Sequence, residues 1–317
     1  MSKEFCFVTS CDSNPNYFKG ALALIKSIRY FSDFPIVFLD AGLNNEQFQK
    51  ISTRVDQVIH LDNLIGKKLN IQHSHLKASA LASLYAHYTN YSKIIYLDVD
   101  TIILGNIDFI FDLLSEYDLV AVRAGIINYL ENGNVHKVKD EIDQKAIKKV
   151  QSILPSLDLD KVAFNTGCFG IKASVLQNWE YIYEKIFPFM PYMKFVDQSI
   201  FNLLVSASYI QIKEISYKYN LGGSSQSLQE NNSKFEGKIH NGKPTFLYEG
   251  SSIVVPHFSG KPKPWEVNNN SPGKQIWDFF AEDNAVIKKQ SQYSSNFQFF
   301  TSSLMSNKTK YNFQINK

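Results

Sequence analysis

Residues 93–106 read KIIYLDVDTIILGN. The apolar run Ile94–Leu97 has the character of a buried β-strand, and two aspartates, Asp98 and Asp100, stand at its carboxyl end. Side chains alternate across a strand, so residues two apart point the same way. Two carboxylates on one face repel each other unless a cation lies between them. Ligands of open α/β sheets bind at the carboxyl ends of the strands. There the pair suits a hard divalent ion, Mg²⁺ or Mn²⁺, whose shell is completed by substrate phosphates. Taken alone, the D-x-D pattern is equally well read as one turn-capping and one solvated aspartate. The apolar run favours the metal, because it buries the strand and fixes the two side chains.

Outward from this strand, strands and helices alternate. EFCFVTSC, FPIVFLDAG, VDQVIHLD and DLVAVRAG read as strands. YFKGALALIKSIRYF has helical spacing, with Leu22, Ile25, Ile28 and Phe31 on one broad face. NNEQFQKISTR opens with a helix N-cap residue. HLKASALASLYAHYT reads as a helix. Such alternation predicts an α/β fold with a mostly parallel, Rossmann-like sheet and helices on both faces. Gly125 to Lys161 is charged and reads as a helical insertion or lid. VAFNTGCFGIKAS resumes strand character, and VDQSIFNLLVSASY is helical. Leu221 to Lys243 reads as loop, and SSIVVPHFSG as a late strand. KQIWDFFAEDNAVIKK is a helix before a polar tail.

The 317 residues suffice for one large α/β domain or two small ones. A formal net charge of +3 does not point to nucleic acid but is compatible with an anionic small molecule. The cysteines Cys6, Cys11 and Cys168 have neither disulfide-framework nor zinc spacing, which fits a reducing compartment. No signal peptide and no membrane-spanning run is expected.

A second signal is VVPHFSGKPKPW, residues 254–265. His257 offers a ring nitrogen to a metal. Gly260 lets backbone N–H groups approach an anion, and Lys261 and Lys263 supply charge for phosphate. A basic surface turn is the plainer alternative. His73 and His75 are read as a polar loop, since no carboxylate partner is evident.

Six stretches in this order resemble glycosyltransferase family 8, which includes glycogenin and bacterial lipopolysaccharide α-galactosyl- and α-glucosyltransferases. They are FVTSCDSNPNYFKGALALIKSI, FLDAGL, LKASALASLYAHYTNYSKIIYLDVDTIIL, FNTGCFGIK, DQSIFN and HFSGKPKPW. The resemblance implies a GT-A fold over residues 1–265, with 266–317 as a C-terminal helix and tail. It implies transfer of a hexose from a UDP-sugar with retention of configuration. Asp98, Asp100 and His257 would hold Mn²⁺ or Mg²⁺. Gly260 and Lys263 would meet the diphosphate, and Val8, Thr9 and Tyr17 the uridine, with Asp98 and Val99 also on the donor. Lys77 would lie near the donor phosphates and sugar. Asn165, Gly167, Asp197 and Gln198 would line the sugar pocket. Asp197 would act as nucleophile or electrostatic stabiliser, and Gln198 would stabilise the cationic sugar. Read without the family, Lys77 is a surface lysine, Asp197 a helix N-terminal charge, Asn165 a turn residue and Tyr17 core.

The expected acceptor is a glycan or lipid-linked saccharide, chosen by residues 125–161 and 221–243. The expected location is cytoplasmic, at the inner face of a membrane, with Phe297, Phe299 and Phe300 of the tail as a peripheral anchor. Self-association into a homo-oligomer is also carried as an expectation. Two other functions compete. A sugar-1-phosphate nucleotidyltransferase would need a glycine-rich loop after the first strand, where this chain has only Gly20. A non-catalytic nucleotide-sugar binding protein would keep the metal residues without turnover.

Overall fold

Among the described residues, seven strands build the central sheet: β1 (Lys3–Cys11), β2 (Ile36–Asp40), β3 (Gln57–His60), β4 (Tyr91–Leu97), β5 (Leu119–Arg123), β6 (Phe164–Lys172) and β7 (Ile212–Glu214). Their order is β3-β2-β1-β4-β6-β5-β7. β1 runs parallel to β2 and β4, β2 to β3, and β5 to β7. β6 runs against both β4 and β5. The sheet is thus mostly parallel, as expected, with one reversed strand. The computed structural model describes residues 3–61, 78–124, 135–177, 179, 185–194, 196–222, 234–266 and 270–281. Lys77, His73, His75 and the aromatic tail lie outside the described residues.

Both faces of the sheet are covered, and strand alternation shows it. Cys6, Val8, Val37, Leu39, Ile94 and Tyr96 enter one core. Their neighbours Phe7, Phe38, Ile95 and Leu97 enter the other. The second core is closed by α1 (Pro15–Phe31). Asn14 Oδ1 accepts from the Asn16 N–H at 3.0 Å, and Pro15 occupies the first turn, where its missing N–H costs nothing. Ile25 and Ile28 are buried as their spacing predicts, while Leu22 and Phe31 stand at the partly exposed edge. α2 (Asn45–Ser52) opens with a reciprocal cap between Asn44 and Gln47. α3 (Phe109–Leu113) adds Ile110 and Phe111 to the same core.

The helix expected over residues 75–89 is a 3₁₀ helix from Ala78 to Thr89. Its buried Ala82, Leu84 and Ala86 join the first core. The insertion begins in the described residues at 135. It carries a 3₁₀ turn (Val138–Glu141) and α4 (Gln144–Ile153). Val138, Ile142, Ala146, Val150 and Leu154 are buried in the first core. The described part packs as a wall: its apolar positions face in and, Glu141 apart, its charged side chains lie toward the surface. α5 (Ala173–Gln177) and α6 (Val196–Ala207) complete that layer.

The end of the stretch expected as loop, residues 235–243, forms with residues up to 248 an antiparallel hairpin of β9 (Phe235–His240) and β10 (Lys243–Tyr248), following the short β8 (Leu221–Gly222). The turn residues Asn241 and Gly242 both have positive φ, 50° and 72°. This is the twist that suits a two-residue hairpin. The expected late strand reduces to β11 (Ser251–Ser252) and β12 (Pro256–His257). α7 (Gly273–Ala281) is the C-terminal helix, and its Ile276, Trp277 and Phe280 pack with Phe235, Phe246 and Phe258. No helix among the described residues is long and apolar enough to cross a membrane.

Candidate active site

β4 stops at Leu97, and Asp98 and Asp100 lie in the turn that follows. The Asp98 carbonyl accepts from the Thr101 N–H at 3.0 Å and from Thr101 Oγ1 at 2.7 Å. The alternation of the strand persists through this turn. Val99 joins the core behind the sheet, and the Tyr96 hydroxyl donates to the Asp98 carboxylate on the other side. The shared face expected for the two aspartates is the one observed.

A backbone ladder ties this turn to the segment before Lys263. Ile102 N–H donates to Pro256 O at 3.2 Å, Leu104 N–H to Val254 O at 2.8 Å, and Phe258 N–H to Asp100 O at 2.8 Å. Thr101 and His257 pair across it. The ladder brings His257 Nε2 to 3.3 Å from Asp100 Oδ1 and 3.9 Å from Asp98 Oδ2. One ligating atom from each of Asp98, Asp100 and His257 lies within 4.8 Å of the others. Adjacent ligands of an octahedral ion with bonds of about 2.1 Å stand about 3 Å apart. Two carboxylate oxygens and an imidazole nitrogen at these spacings fit Mg²⁺ or Mn²⁺.

The electrostatics describe a site short of positive charge. Burial, then the neighbouring Asp100 charge, push the Asp98 carboxyl up to about 7. Burial acts against the Asp100 carboxylate too. There the His257 and Lys263 charges outweigh it and hold the group below the usual carboxylate range. Burial lowers His257, but the facing Asp100 more than compensates and raises it. Lys263 Nζ lies 2.5 Å from Asp100 Oδ2 and donates to Phe258 O at 3.0 Å.

Gly167 in β6 is where backbone and imidazole meet. Its carbonyl accepts from the Asp98 N–H at 2.9 Å, and its N–H donates to Asn165 Oδ1 at 2.8 Å. A Cβ here would stand 2.2 Å from His257 Cε1, so the ring's place depends on glycine. His257 Nδ1 is 3.1 Å from Asn220 Oδ1. Asn220 Nδ2 donates to Asn165 Oδ1 at 2.8 Å. The amide is thereby oriented with its oxygen toward the ring. Nδ1 then carries the proton, and Nε2 is the nitrogen free to ligate. Asn220→Ala should weaken Mn²⁺ binding by about 10–100-fold, read by calorimetric titration. Wild-type affinity in that variant would remove Asn220 from the site.

Other expected residues gather nearby. Asp197 and Gln198 open α6. Burial, and to a lesser degree the charges of Glu141 and Asp100, raise the Asp197 carboxyl above its ordinary value. Gln198 Oε1 accepts from Asn165 Nδ2 at 3.2 Å. Tyr17 is 40% exposed and meets Trp265 edge-on at 5.6 Å between ring centroids. Val8 and Thr9 are fully buried near the end of β1. Thr9 Oγ1 and Ser10 Oγ have no hydrogen-bond partner among the described residues. Gly260 lies in the turn between His257 and Lys263. Sequence reasoning missed Tyr96, Glu141 and Asn220, and gave no role to Asn202, which closes the DQSIFN stretch; for Tyr96 the two-residue step to Asp98 was the local sign available.

Three proteins of solved structure are similar in fold. The galactosyltransferase LgtC, in complex with donor and acceptor sugar analogues, has TM-score 0.57 at 17% identity, over 87% of this chain and 95% of LgtC. The bifunctional glycosyltransferase WbbM has TM-score 0.55 at 17% identity, over 88% of this chain and 49% of WbbM. The glycosyltransferase GlyE of Streptococcus pneumoniae TIGR4 has TM-score 0.53 at 17% identity, over 88% of this chain and 60% of GlyE. None of the curated proteins matches the sequence. The seven-stranded sheet is that of the GT-A glycosyltransferases, as the motifs implied. The sequence profile of glycosyl transferase family 8 matches residues 8–269, and with most of its length so matched the chain belongs to that family.

Proposed function

We propose that this glycosyltransferase moves a hexose, glucose or galactose, from a UDP-sugar to a hydroxyl of a glycan or lipid-linked saccharide, with retention and with a divalent metal. The observation that carries the reading is the Asp98–Asp100–His257 cluster at the carboxyl end of β4. Residues 1–265 are taken as the catalytic unit, with 266–317 as a helix and tail. The reaction is placed in the cytoplasm, where nucleotide sugars are available.

Asp98, Asp100 and His257 would hold the divalent cation, which when bound would supply positive charge against the leaving diphosphate. Lys263 and the Gly260 N–H, on the loop after His257, add a positive charge and a backbone donor where negative charge develops. Val8, Thr9 and Tyr17 take the nucleoside, with the orphan Thr9 hydroxyl as a free polar group at that end of β1. Asp197 sets a negative charge against the oxocarbenium-like sugar, and Gln198 and Asn165 orient it. Retention is read as attack from the leaving-group face, the departing phosphate taking the acceptor's proton.

The test is a panel of nucleotide sugars with saccharide acceptors, with Mn²⁺ or EDTA, and released nucleoside diphosphate as the readout. UDP is expected from UDP-glucose or UDP-galactose. The release should stop with EDTA and return with Mn²⁺. Release from no donor, or release indifferent to EDTA, would overturn the reading.

A further inference from the structure

Glu141 is fully buried, in the 3₁₀ turn that leads into α4. Its carboxylate accepts from Gln198 Nε2 at 2.6 Å and Asn202 Nδ2 at 3.1 Å, and faces His136 Nε2 at 3.3 Å. Neighbours Val138 and Ile142 are core residues, so packing alone asks for an apolar side chain here. A buried carboxylate carries a desolvation penalty that an apolar side chain of similar volume avoids.

What Glu141 offers is polarity. An amide has a donor end and an acceptor end and can be turned over; a carboxylate accepts at both oxygens. With Glu141 Oε1 accepting from Gln198 Nε2, Gln198 Oε1 is left for Asn165 Nδ2, 3.2 Å away. Asn165 Oδ1 then accepts from Gly167 N–H and Asn220 Nδ2, each at 2.8 Å. Asn220 Oδ1 in turn faces His257 Nδ1. Reversing the first amide would set donor against donor at the second.

We propose that Glu141 is a positioning residue for glycosyl transfer, whose carboxylate fixes the direction of an amide relay running from Gln198 through Asn165 and Asn220 to His257. It rests on the transferase reading for its consequence, since the relay presents Gln198 to the sugar and the unprotonated nitrogen of His257 to the metal.

The test uses the full chain, ¹⁵N-labelled and metal-free. The Gln198 side-chain amide resonance is identified by its loss in Gln198→Ala. Glu141→Gln should move that resonance. With UDP-glucose or UDP-galactose it should lower kcat by about 100-fold, as misplacement of an orienting group does, while the donor KM stays unchanged. Added to Gln198→Ala, it should cost little more, because both act through one amide. An unmoved resonance in folded Glu141→Gln, or additive losses in kcat, would overturn the proposal. If Glu141→Gln does not fold, Glu141→Asp must move the same resonance, because it withdraws the acceptor while keeping the charge. If the wild-type chain releases no nucleoside diphosphate, the transferase reading falls; the resonance still decides whether Glu141 orients Gln198.

Discussion

Gly167→Ala is expected to abolish divalent-metal binding and to cost about 1–3 kcal/mol of stability, the range for forcing volume into a packed site. The new methyl carbon would lie 2.2 Å from His257 Cε1 and 2.3 Å from Nδ1. The ring is buried and held by Asn220, so it cannot swing aside as a flexible chain end would. Either it leaves the two aspartates or β6 shifts and carries the Asp98 N–H contact with it. Mn²⁺ affinity and metal-dependent UDP release should both fall by at least about 100-fold. Urea unfolding supplies the discriminating control. In a His257→Ala background the ring is gone, and Gly167→Ala should cost far less stability. Wild-type Mn²⁺ affinity in Gly167→Ala, or an equal stability cost in both backgrounds, would refute the account.

Asp100→Ala is expected to lose metal binding and to destabilise the fold by about 3–5 kcal/mol, the cost of removing one member of a buried ion pair. Asp100 and Lys263 are each nearly buried, with side-chain exposures of 12% and 11%. The substitution takes away the carboxylate that the Lys263 ammonium faces at 2.5 Å and leaves the charge in the interior. Replacing that charge as well, in Asp100→Ala with Lys263→Met, should recover a large part of the lost stability and none of the metal binding. An Asp100→Ala protein as stable as wild type would show that the pair is solvated, against the geometry.

Much of this was legible in the sequence because it is local. The D-x-D pair follows its apolar strand directly, and the residues around His257 lie in one short stretch. Strand positions were legible from alternation, but alternation carries no direction, so the reversal of β6 was not. The hairpin over 235–248 was missed although the Asn241–Gly242 pair is a turn signature. Its apolar residues Phe235, Phe246 and Tyr248 are too thinly spread among polar ones to mark two strands. Glu141 stands in the run KDEID and looks like solvated surface. It is buried because Gln198 and Asn202 reach it from α6, a partner no nearby residue announces. Asn220 sits between two short elements and gains its meaning only where Asn165 and His257 converge on it.

The ladder joining residues 102–104 to 254–256 has a consequence for how the protein is made. All seven strands of the central sheet precede Val254 in the chain. A ribosome therefore finishes the sheet while His257 and Lys263 are still to be translated, and the nascent chain carries Asp98 and Asp100 as an uncompensated acidic seam. Closure comes with the arrival of a late segment that brings both a ligand and a counter-charge. A product truncated before His257 would hold every sheet strand in its sequence and lack one of the three residues of the proposed ion site, so metal uptake would report that synthesis has passed His257, whereas the sheet alone does not.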